Sequence, residues 1–345
     1  MTRRSFQAPT LIWALALALA CAHRPAKDQG PHPATTDAAP PIVDPPRRPG
    51  KPLLLVAMPG SEAYRLVRQT VVSELEPDFD IQTHVVERGT TPEAFRRALD
   101  GSGAKAVLLM NNPTVKLYRA YQSAVRGKVP PVPAILAMCS FLEELDAQLE
   151  NATGVAFEVP GVSAFVPLRA LIKAPVRRVG VVHRPLFASF VKRQSELARK
   201  EKIEIVAREV SAEPTAREVR KALLSLESVD ALWVLNDNGL LQEGDFFASS
   251  WREAVARLGV PVVVGVETLV QKDARFGNFA VLPDLEALGV QTANLILDVA
   301  DNDWAANDIP IELPVSTRRI ANLQILEARF GLREGARRQV DKLVE

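Results

Sequence analysis

Only two cysteines, Cys21 and Cys139, occur in the 345 residues, so no disulfide framework can staple this chain. Histidine is equally scarce. Of the four, His23 and His32 fall in a proline-rich segment, and His84 and His183 stand far apart with no metal-ligand spacing. No Gly-x-Ser-x-Gly elbow, Walker loop or Gly-x-Gly-x-x-Gly fingerprint is found. Serine-hydrolase, P-loop and dinucleotide enzymes therefore lose their usual sequence support. Neither sign of charge dominates: 42 Lys and Arg against 41 Asp and Glu leave a net charge of +1. A nucleic-acid binder would normally show a basic face. Beyond the N-terminus no apolar run approaches the roughly 18 residues of a membrane span. The chain is thus read as a non-enzyme with no cofactor, no metal and no nucleic-acid partner.

What is present is apolar residue in quantity, 47% of the chain, enough for a large core and about two domains. Arg3 and Arg4 precede an apolar run over residues 11–20, the charged and hydrophobic regions of a secretory signal. The run closes on Ala18-Leu19-Ala20-Cys21, which resembles the lipobox of bacterial lipoproteins, with Ala18 where leucine is usual. That resemblance implies a lipidated Cys21 as the mature N-terminus; ordinary secretion with a cut near Ala20 is the alternative. Cys139, in an apolar setting, reads as a small core residue. Residues 22–52 are rich in Pro, Ala and Asp, with Pro40-Pro41 and Pro45-Pro46. Such a segment buries too little surface to offset its ordering entropy and is expected to be a disordered tether.

From Leu53 strands and helices alternate. Apolar runs at 53–58, 81–86, 106–110 and 134–138 read as strands, with helices between them at apolar helical spacing. The pattern restarts with strands at 177–182, 203–210, 229–235 and 260–264. Runs apolar on both faces fit a parallel sheet covered by helices. Two such halves, with a break near 158–164, give the expected architecture. It is an α/β fold of two lobes, each a mainly parallel sheet flanked by helices. The first lobe is placed at 53–158 with 284–303 returning to it. The second spans 159–283 and is completed by 309–331, and 332–345 is left as a charged tail.

The stretch 229–238, Val-Asp-Ala-Leu-Trp-Val-Leu-Asn-Asp-Asn, is the most informative. A buried strand stops at Asn236, Asp237 and Asn238, and ligands in open α/β sheets bind beyond the carboxyl ends of strands. Tight-turn chemistry explains the same residues equally well.

The order and spacing of several segments are similar to the substrate-binding proteins of ABC transporters with the type I periplasmic fold, including tryptophan-binding members. The resembling segments are 176–182, 229–238, Val260-Pro261-Val262-Val263-Val264-Gly265, Leu288-Gly289-Val290-Gln291-Thr292-Ala293 and Ile309-Pro310-Ile311-Glu312, with Gly154-Val155 near the lobe crossing. The chain departs from the family at Asn236, where threonine is usual, at 265–268 and at Asn111-Asn112-Pro113. The resemblance implies a monomer that captures an amino acid or similar metabolite between its lobes and presents it to an ABC permease. Together with the lipobox it implies the periplasmic face of the cell envelope and a lipid anchor. A non-transport envelope or sensory lipoprotein on the same scaffold, its ligand site changed or lost, is the alternative.

An amino acid would need donors for its carboxylate and an acceptor for its ammonium. Ser61, Asn112 and Ser140 stand at strand ends of the first lobe, where helix N-termini favour anions. Asp237 and Glu267 are candidate ammonium acceptors, and Asn236 and Asn238 can both donate and accept. Arg184 can clamp a carboxylate or form a salt bridge. His183 is either a site residue or a hydrogen-bonded loop residue, and Phe187 and Tyr64 either stack a ligand or pack the core.

Overall fold

The computed structural model describes residues 41–344, apart from 243, 272–275 and the side chains of 145 and 146. The signal-like segment, Cys21 and the tether to residue 40 lie outside the described residues.

Strand β1 (Leu53–Met58) is buried at every position, as its unbroken apolar run requires. It is followed by α1 (Glu62–Leu75), β2 (Asp80–Val85), α2 (Pro92–Ser102), β3 (Ala106–Met110), α3 (Asn112–Val125), β4 (Ala134–Ala137), α4 (Leu142–Asp146) and β5 (Ala152–Gly154). These strands form one parallel sheet in the order β2-β1-β3-β4-β5. Asn111 and Thr91 cap α3 and α2 by accepting from the N–H groups of Thr114 and Ala94, and Pro92 and Pro113 sit in first turns, where a missing N–H is harmless.

The chain crosses over and continues with α5 (Val162–Leu171), β6 (Arg178–His183), α6 (Ala188–Lys200), β7 (Glu204–Glu209), α7 (Ala216–Leu224) and β8 (Ala231–Val234). Helix α8 (Asp245–Phe247) runs through a π-helical turn (Ala248–Arg252) into α9 (Glu253–Leu258), followed by β9 (Val262–Val264) and β10 (Phe279–Pro283). Helix α10 (Leu285–Asp301) then packs on the first lobe. Its Leu288, Ala293, Leu295, Ile296 and Val299 are buried with Val67, Val71 and Leu75 of α1. At Gly289 a Cβ would lie 2.5 Å from the Thr70 Cβ, so the two helices approach backbone to backbone there. The return adds β11 (Thr317–Ala321), α11 (Leu323–Phe330) and β12 (Lys342–Leu343). The second sheet has the order β12-β11-β10-β9-β8-β6-β7 and is parallel except for the antiparallel β10–β11 pair.

Two segments are more ordered than composition suggests. Asp44, inside the expected tether, accepts from the Thr83 backbone N–H at 2.8 Å and from the Arg68 guanidinium at 2.6 Å. Arg68 is buried, and without Asp44 it would lose its ion-pair partner. Residues 332–344 supply β12 and the buried Ala336. Among the described residues no helix is long and apolar enough to cross a membrane.

Candidate functional site

The carboxyl ends of β8, β9 and β10 and the loop after β4 converge with the crossing segment 157–161 on a partly open cavity of about 40 Å³. Phe141, Phe157, Phe190 and Trp233 provide aromatic wall, and Glu158 and Asn236 are the acidic and amide side chains lining it. Gly265 lines it too. A Cβ there would stand 3.3 Å from the Asn236 Cβ, tighter than most such contacts.

The loop after β4 links the two lobes. Met138 and Phe141 both have left-handed backbones (φ 54° and 58°), a conformation that costs a non-glycine residue about 1–2 kcal/mol. The tight loop is held in place by Asn112, whose amide accepts from the Ser140 N–H at 2.8 Å and donates to the Ser140 carbonyl at 3.0 Å. Ser140 Oγ in turn accepts from Asn236 Nδ2 at 2.6 Å, a direct hydrogen bond from the second lobe to the first. Phe141 is buried among second-lobe residues, 4.0 Å from the Phe187 ring centroid and edge-on to Phe190 at 5.2 Å. Phe190 continues the cluster to Trp233 at 5.9 Å. Outside the cavity, Arg193 of α6 pairs with Glu143 and Glu144 of α4.

Glu158 is the chemically unusual group. Its Oε2 accepts from the Phe141 N–H at 2.7 Å, while Oε1 is buried with no hydrogen-bond partner among the described residues. Burial pushes its pKa up to about 7, against smaller lowering by the Phe141 N–H, its own N–H and the Ser140 hydroxyl. Nearby Cys139 is fully buried, and desolvation pushes its thiol up to about 12, so it is an inert core residue.

The sequence candidates divide sharply. Asn236, Ser140 and Asn112 come together at the lobe junction. Arg184 and Asp237 instead engage each other: Nε and Nη2 donate to Oδ2 and Oδ1 at 2.7 and 2.6 Å. Asp237 is only 2% exposed and also accepts from the Gly239 N–H, so its carboxylate is satisfied within the protein. It is a buried structural pair, which leaves neither residue free for an amino acid. Glu267 pairs with Lys342 at 2.6 Å, Asn238 is exposed beyond β8, and Ser61 is exposed at the start of α1 without a capping bond. The buried His183 ring is hydrogen-bonded through Nδ1 to the Arg184 carbonyl. Phe187 and Tyr64 pack in the cores of the second and first lobes. Sequence reasoning passed over Glu158, whose one signal is a lone acid inside the apolar run Val155-Ala156-Phe157-Glu158-Val159 at the lobe break.

No family model and no curated protein matches this sequence. Solved structures do. An ABC domain in complex with L-Trp from Streptococcus pneumonia superposes with a TM-score of 0.58 at 17% identity, over 85% of this chain and 100% of that one. The fold is that of the type I periplasmic binding proteins. A substrate-binding protein with adhesive properties from Clostridium difficile, in its ligand-free, open form, matches with a TM-score of 0.59 at 18% identity, over 85% and 99% of the chains. A conserved domain protein from Vibrio cholerae gives 0.57 at 16% identity with the same coverage. In this type I periplasmic-binding fold the cavity lies at the carboxyl ends of second-lobe strands, beside the crossing segment and Phe141 of the first lobe. Among the described residues no group of three or more His, Cys, Asp and Glu is arranged to hold a metal ion.

Proposed function

We propose that this protein is an extracytoplasmic solute-binding protein that captures a small metabolite between its lobes for an ABC importer. The observation that carries the proposal is the cavity at the lobe junction, where Phe141 of the first lobe meets the crossing segment and the second-lobe strand ends and which holds the unpaired oxygen of Glu158. A buried polar atom without a partner is a cost that natural structures rarely leave standing, and a ligand can relieve it. Glu158 and Asn236 are the proposed polar lining, Ser140 and Asn112 hold Asn236 from the first lobe, and Phe190 and Trp233 are the apolar wall. Cys21 is the proposed lipid anchor, holding the protein at the periplasmic face of the envelope.

At about 40 Å³ the cavity has room for two or three waters, so an amino acid or similar metabolite enters only when the lobes separate. The crossings at residues 156–160, 283–285 and 312–317 are the hinges such a motion would use. Opening breaks the Asn236–Ser140 bond and withdraws Phe141 from the second-lobe aromatic cluster.

The position of Phe141 favours a second reading, an envelope or sensory lipoprotein whose cleft is filled by its own side chain. A thermal-shift screen against amino acids and small metabolites separates the two. A ligand at 100 times its dissociation constant adds roughly 2.7 kcal/mol, a shift of several degrees. A hit lost on Asn236→Leu supports solute capture. A flat screen for both wild type and Phe141→Ala supports the second reading.

A further inference from the structure

The lining of the cavity is electrostatically one-sided. It contains one carboxyl group, Glu158, with a buried oxygen lacking a partner, and among its described residues no Lys, Arg or His. The sequence candidate for holding a ligand carboxylate, Arg184, has its Nε and Nη2 on Asp237 and its Nη1 on the Ala212 carbonyl. The remaining walls are aromatic faces and aliphatic side chains, and Asn236 Nδ2 is already donated to Ser140. A zwitterion would therefore bring a carboxylate into a site with no countercharge, and an anion would meet Glu158 directly.

Resting on the solute-binding reading above, we infer that the cleft takes a compact organic ammonium ion, an amine without a carboxylate. Glu158 Oε1 is its counter-ion and hydrogen-bond acceptor, and the Phe190 and Trp233 rings supply cation–π and apolar contact. The ammonium supplies the donor that Oε1 lacks, and the alkyl chain takes the aromatic wall. About 40 Å³ of cavity suits a group of two to four heavy atoms without further opening, which sets the size class.

Two charged or titratable neighbours face Glu158. Glu144, ion-paired with Arg193, disfavours a second negative charge there, and the buried Cys139 stays neutral. A bound cation reverses that balance. Amine affinity in the wild type should therefore rise between pH 6 and 8, as Glu158 gives up its proton while an alkylammonium keeps its own.

The test is calorimetric titration of the full-length protein with ethylamine, propylamine, alanine and ethanol at pH 8, repeated with Glu158→Gln. The expected result is binding of an amine in preference to alanine and ethanol, weakened about ten- to a hundredfold by E158Q. The wild-type pH dependence gives the same answer should E158Q fold poorly. Alanine binding as tightly as the amines, or an amine affinity unmoved by E158Q and flat from pH 6 to 8, overturns the inference and leaves solute capture standing. No binding by these probes or by the metabolite screen overturns both.

Discussion

Glu158 makes stability depend on pH in a direction opposite to most carboxylates, and Glu158→Gln isolates the effect. Burial holds its pKa near 7 in the folded protein against an ordinary value of 4.5. Below about pH 4.5 the group is protonated whether the chain is folded or not, and it contributes nothing to the slope. Between 4.5 and 7 the unfolded chain has lost the proton that the folded chain keeps, so stability falls as pH rises. Above 7 the full penalty is present. At about 1.4 kcal/mol per pH unit the loss amounts to about 3 kcal/mol, an upper bound because residue 158 is partly exposed. Glutamine has nearly the same shape, can still accept from the Phe141 N–H, and cannot ionise. Wild type and E158Q should therefore melt together at pH 4.5, while at pH 8 the variant should melt higher by about 5 °C. Differential scanning calorimetry across that range reads the gap. Parallel melting curves at every pH would refute the buried, uncompensated carboxyl.

Arg184→Ala strands the Asp237 carboxylate in a nearly solvent-free setting and should cost about 3–5 kcal/mol in urea denaturation, whereas a loss below 1 kcal/mol would contradict a structural role for the pair. Asp44→Ala removes the partner of Arg68 and Thr83; it should cost about 1–3 kcal/mol and speed proteolysis at residues 41–50, and unchanged cleavage would mean that this segment is not docked. Gly154→Ala places a Cβ 2.3 Å from the Leu136 carbonyl oxygen and should lower the melting temperature sharply. Gly101→Ala, inside α2 with nothing within 4 Å of the new atom, should instead stabilise by about 0.5–1 kcal/mol, so equal effects at the two glycines would refute the packing.

Much of the fold was legible because its strands are buried on both faces and its helices on one. The runs at 53–58 and 106–110 match β1 and β3 residue for residue, and the strand in 229–235 is β8 with every side chain buried. Strand pairs with little apolar signal were harder. Thr317–Ala321 begins Thr-Arg-Arg, pairs antiparallel to β10, and reads as loop from its charge alone. Helix α3 begins at Asn112, because Asn111 caps a turn whose first residues carry little periodicity. The docking of Asp44 depends on a buried arginine 24 residues away, which no local composition can reveal.

The candidate site residues separate in the structure along lines that the sequence does not carry. The polar stop after β8 does reach the lobe junction, but through Asn236; Asp237 points to Arg184, 53 residues earlier, and that pairing is a tertiary event. Glu158 looked like part of a crossing segment because its importance lies in what does not surround it. An unpaired oxygen is a property of packing, and no residue pattern encodes it.

Solute capture between the lobes is the central claim, and one measurement meets it directly. The strongest hit of the metabolite screen should be titrated calorimetrically into wild type and into Asn236→Leu, which keeps the branched shape of asparagine but removes the cross-lobe amide from the cavity wall. The account predicts one site per chain, a negative heat-capacity change from closing apolar walls over the ligand, and loss of both in the variant. Binding that Asn236→Leu leaves intact would place the ligand elsewhere, and the lobe junction would then be packing alone.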